Sequence, residues 1–191
     1  MALPDWPANG AAALDRAISG VNSWIGRALA WLILPVVMVQ FAIVLLRYVF
    51  GYGLIAMDEA ILFMHATLFM GAGAYALASD SHVRVDIFYG TRSPRYRALV
   101  DGLGVLLLLW PVCAFLIWIG WGYVMRSWRI FEGSGHRDGL AGVFLIKTWI
   151  LVLPMLLGLQ GLAILMRAGL VLSGRAPDMH PPQAAPATEA I

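Results

Sequence analysis

Four long apolar runs separated by short polar breaks organise this chain. Residues 28–46 carry no charge before Arg47, and residues 61–78 carry none at all. The third run, 103–125, is the longest, and the fourth covers 149–166 behind an apolar lead-in that contains Lys147. A membrane-spanning helix needs about 20 predominantly apolar residues, and all four runs reach that scale. Lipid offers no hydrogen bonds to a bare backbone, so such runs must satisfy their own amides and carbonyls as helices. With their flanks, the helices are expected over about 28–47, 55–79, 98–125 and 143–170, within a membrane domain spanning 27–172.

The breaks carry their own signals. Leu14, Ile18, Val21 and Ile25 recur at helical spacing, with Asp15, Arg16, Ser19 and Asn22 off that stripe. This pattern predicts a short amphipathic helix over 14–26, lying at the membrane surface behind an N-terminal segment 1–13. Gly51 and Gly53 among aromatics predict a tight turn, and Ser93-Pro94 reads as an N-cap followed by a first-turn proline. Residues 173–191, with four Pro and many Ala, predict a disordered tail. The expected fold is therefore an all-α integral membrane protein: four transmembrane helices preceded by an amphipathic interfacial helix.

Composition agrees and removes other classes. The chain is 61% hydrophobic and 13% charged, against about a quarter charged in a soluble domain. Its net charge is only +2 and its basic residues form no stripe, which speaks against nucleic acid and leaves lipid as the surrounding medium. A lone Cys113 inside an apolar run permits no intrachain disulfide or zinc cluster and reads as a packing residue. The first run is of spanning length, so it is expected to remain as a helix rather than be removed as a leader. Eight Lys and Arg fall on the side of both termini and the second loop, and five fall on the other. By the positive-inside rule both termini are expected in the cytoplasm.

Few residues could carry chemistry. His65 stands alone in the second helix, without the facing histidine that a haem would need, and reads as a hydrogen-bonded packing residue. Gln40 and Gln160 fall near the middle of the first and fourth helices. A buried amide in lipid needs a partner, so each is a candidate for holding the bundle or a neighbouring subunit together; lining a transport path is the competing reading. Arg47 closes the first helix and Asp58-Glu59 open the second on the same side, so Arg47 is expected to pair with one of the two acids. The adjacent acids also admit a cation-binding or proton-relay reading. Residues 132–138, from Glu132 to Asp138, form a polar loop suited to contact with a partner outside the membrane. No catalytic residue, cofactor site or metal site is expected.

In order along the chain stand Arg47, Asp58-Glu59, the small-residue stretch Met70-Gly71-Ala72-Gly73-Ala74, His82-Val83-Arg84-Val85-Asp86, Ser93-Pro94-Arg95 and Leu159-Gln160-Gly161. With these motifs the sequence resembles the small membrane subunit of tripartite ATP-independent periplasmic (TRAP) transporters. The segment containing His82, Arg84 and Asp86 is the most specific of them. The resemblance implies a partner subunit that is a large permease holding the substrate and ion sites, and a periplasmic binding protein that delivers organic acids. It implies that the small subunit braces the permease during symport across the bacterial inner membrane.

Overall fold

The computed structural model describes residues 10–79 and 92–175, and every regular element among them is helical. In chain order these are α1 (Gly10–Ala30), α2 (Ile33–Val49), α3 (Ile55–Ala78), α4 (Pro94–Gly104), a π-helical turn (Val105–Leu109), α5 (Trp110–Arg129) and α6 (Val143–Leu172). They make four candidate membrane spans: Ala13–Val49, Ile55–Ala78, Pro94–Arg129 and Val143–Leu172. The segment 80–91, which contains His82, Arg84 and Asp86, lies outside the described residues, as does 176–191.

Local sequence accounts for the breaks. Leu32 donates its N–H to Leu29 (2.9 Å), a tightened turn that separates α1 from α2 without ending the span. Gly51 takes a left-handed conformation (φ 67°), which lets the chain reverse between α2 and α3. Ser93 caps α4 by accepting from the Tyr96 N–H at 3.4 Å, with Pro94 behind it where its missing N–H costs nothing. The π turn precedes Pro111, which has no N–H to offer and whose ring would crowd the carbonyl one turn back. The wider turn, in which the Trp110 N–H reaches Val105, absorbs that defect.

The end of α5 is built less conventionally. Phe131 sits at φ 44°, a region that side chains with a Cβ seldom occupy. The Phe131 and Glu132 N–H groups close back on Trp128 and Ser127 at 3.3 and 3.0 Å, and the Phe131 ring packs edge-on against Phe144. Gly174 does the same job at the end of α6, with Arg175 bonding back to Leu170 at 2.9 Å.

Helix α6 is the central element. Its most apolar window is 28% buried, against 6–11% for the other spans, and it contacts α1, α3, α4 and α5. Helix α2 is the peripheral one and rests chiefly on α3. Small residues set the close approaches. A Cβ on Gly161 would lie 2.9 Å from Leu109 and 3.0 Å from Val105, so the glycine lets α6 seat against the π turn. Gly71 of α3 likewise makes room for Leu29 and Trp149.

One expectation is altered. The segment 14–26 is part of the longer helix α1, and its polar stripe faces the bundle: Asp15, Ser19 and Asn22 are buried while Leu14, Val21 and Trp24 are exposed. The inversion has a simple cause. Where lipid is the solvent, apolar side chains face outward at no cost, and polar ones turn inward to find partners.

Candidate functional site

Most side-chain bonds between helices fall into two networks, one at the loop end and one that runs inward from the other end as far as Gln160. At one end Arg47 of α2 donates to Asp58 of α3 at 2.9 Å, with both side chains about half exposed. Glu59 takes a different course. It accepts from the Ser134 hydroxyl, and from the Leu140 N–H at 2.6 Å, so it holds the loop between α5 and α6. Adjacent residues on a helix point about 100° apart, which is why two neighbouring acids serve two different partners.

That loop is a constructed cap. Lys147 donates to Glu132 at 2.6 Å and lies 4.3 Å from the centre of the Tyr123 ring. The bond from Lys147 holds the Glu132 carboxyl below the ordinary glutamate value. Trp128 donates through Nε1 to Thr148 at 2.9 Å, and its ring meets Phe144 edge-on at 4.7 Å.

The other end carries a network that sequence reasoning did not find. Arg167 of α6 donates through Nε to Asp15 at 2.8 Å and through Nη2 to Ser19 at 2.9 Å. Gln160 donates to Ser19 at 3.3 Å and accepts from Asn22 at 2.8 Å. The Ser19 hydroxyl donates to Asp15 at 3.4 Å, so its two lone pairs and its proton are all engaged. A signal for this existed. Asp15 and Asn22 are seven residues apart, as are Gln160 and Arg167, so antiparallel helices match the two pairs rung for rung.

The two mid-helix glutamines part company. Gln160 is fully buried within that network. Gln40 is exposed on α2, with no hydrogen-bond partner among the described residues. His65, expected to pack with a hydrogen bond, is also exposed and unpartnered, because α3 turns that face away from α1 and α6. The Asp58-Glu59 pair does not converge on a common point, and no group of three or more metal-binding side chains occurs among the described residues.

Four helices long and apolar enough to span a bilayer define a multi-pass integral membrane protein. Residues 36–174 match the family described as Tripartite ATP-independent periplasmic transporters, DctQ component. The chain belongs to this family, the small permease component of TRAP transporters, which is a transporter component and not an enzyme family. Neither a curated protein nor a solved structure matches the chain.

Proposed function

We propose that this protein braces the large permease subunit of a TRAP transporter during ion-coupled uptake of organic acids delivered by a periplasmic binding protein. The observation that carries this reading is the family match across residues 36–174, joined to a bundle whose helices and cap are tied by the Arg47–Asp58, Lys147–Glu132 and Arg167–Asp15 ion pairs. Such a bundle suits a static scaffold better than a moving carrier. In this reading the cap that holds Glu59, Glu132 and Lys147 faces the periplasm, and both termini lie in the cytoplasm of a bacterial inner membrane. Arg47, Asp58, Glu59 and Glu132 shape that outer face, while His82, Arg84 and Asp86 belong to the cytoplasmic side.

Reconstitution tests the role. In liposomes with an ion gradient, this chain alone should move no organic acid. Uptake should need both membrane subunits and the loaded binding protein; gradient-dependent uptake by the purified chain alone would overturn the bracing role. Orientation is tested separately in a Cys113→Ala background. A Gly135→Cys variant should react with a membrane-impermeant maleimide in intact cells and Ser173→Cys should not, whereas the reverse pattern inverts the topology.

A further inference from the structure

Helix α2 presents an outward stripe of Ile33, Val37, Gln40, Val44 and Arg47, all exposed and spaced four, three, four, three. Helix α3 presents a matching one: Ile55, Asp58, Leu62, His65 and Phe69, also exposed, spaced three, four, three, four. The two stripes meet where Arg47 bonds Asp58 at 2.9 Å. Seven residues return to almost the same azimuth on a helix, with a drift of about 20°, and descend about 10 Å. Gln40 lies seven residues from Arg47, and His65 lies seven from Asp58. Because the helices run antiparallel, the amide and the imidazole therefore reach the same depth, on the same face of the pair.

Neither group has a partner in this chain among the described residues. An acyl chain can offer neither a hydrogen-bond donor nor an acceptor, so both groups are costly to leave facing lipid. Around these two groups the stripes carry apolar side chains (Ile33, Val37 and Val44 on α2; Ile55, Leu62 and Phe69 on α3) at the three- and four-residue spacing by which one helix seats another. We infer that the α2–α3 face, with Gln40 and His65 at its centre, is the seat for a transmembrane helix of the large permease subunit. That helix presents neutral hydrogen-bonding groups at this depth. The inference rests on the subunit role proposed above.

The test uses the co-expressed complex. Benzoylphenylalanine in place of Val44 or Phe69 should form adducts with the large subunit under light, and in place of Ile119, exposed on α5, it should not. The double variant Gln40→Leu/His65→Leu should retain about 3- to 20-fold less large subunit through detergent purification. The isolated double variant should melt no lower than the wild type, whereas Gln160→Leu should melt lower, which separates lost docking from lost folding. Adducts from Ile119 alone, adducts joining two copies of this chain at Val44, or undiminished retention by the double variant would each overturn the assignment. If the wild-type chain itself retains no large subunit, the bracing role fails as well; if it does while the α2–α3 probes stay silent, only this face is wrong.

Discussion

Two Arg–Asp pairs join helices at opposite ends of this bundle, at 2.8 and 2.9 Å. Arg167 and Asp15 are 16% and 4% exposed, and both also bond Ser19. Arg47 and Asp58 are 53% and 47% exposed and bond only each other. Geometry alone would rank the pairs as equals, but their surroundings do not. An exposed pair gives up little when broken, because water replaces the lost partner. A buried pair broken on one side leaves an unscreened charge with nowhere to go. The inner pair is therefore a lock on α1, and the outer pair is a register mark between α2 and α3.

This difference is open to direct attack. Arg167→Leu should lower the stability of the purified chain by about 3–5 kcal/mol, measured by denaturant titration in detergent. Asp15→Leu/Arg167→Leu should recover more than half of that loss, since the stranded carboxylate is gone. Arg47→Leu should cost no more than about 1 kcal/mol. Equal losses from Arg167→Leu and Arg47→Leu would dissolve the distinction. Gln160→Leu falls between them, at about 0.6–2 kcal/mol, because a neutral amide is lost and Ser19 keeps its other partners. Its effect should appear in the isolated chain and not wait for assembly.

The same contrast shows what a sequence can convey about a membrane fold. Run length and the absence of charge were enough for an all-helical chain of four spans, because lipid leaves a backbone no other way to cross. Helix rotation was not legible. The spacing of Leu14, Ile18, Val21 and Ile25 suggested a helix lying on the membrane surface, and nothing in that pattern told that Asp15, Ser19 and Asn22 turn in against α6. That reading also hid the seven-residue match between α1 and α6 that a search for paired polar spacings would have exposed. Arg47 had two candidate acids, and the choice of Asp58 turned on about 100° of rotation that no pattern in the sequence specifies. Gln40 and Gln160 look alike in their runs. Only the neighbouring helix decides that one is buried against Asn22 and Ser19 while the other faces out.

A third ion pair sits between the two extremes: Lys147 and Glu132 are 15% and 32% exposed and 2.6 Å apart. It makes the smallest and most specific prediction. The bond from Lys147 holds the folded Glu132 carboxyl below its ordinary value of 4.5. A carboxyl whose folded pKa is depressed stabilises the protein when ionised. That contribution is fully present above the ordinary value and is lost as pH falls through the lower, folded one. Glu132→Gln removes the charge at every pH. The difference in melting temperature between wild type and Glu132→Gln should therefore hold steady near neutrality and shrink below pH 4.5. Added salt should narrow it at neutral pH, since Glu132 keeps one face in water. A difference that persists unchanged into strong acid would mean that Glu132 acts through its shape in the cap, and the graded order of the three pairs would lose its middle member.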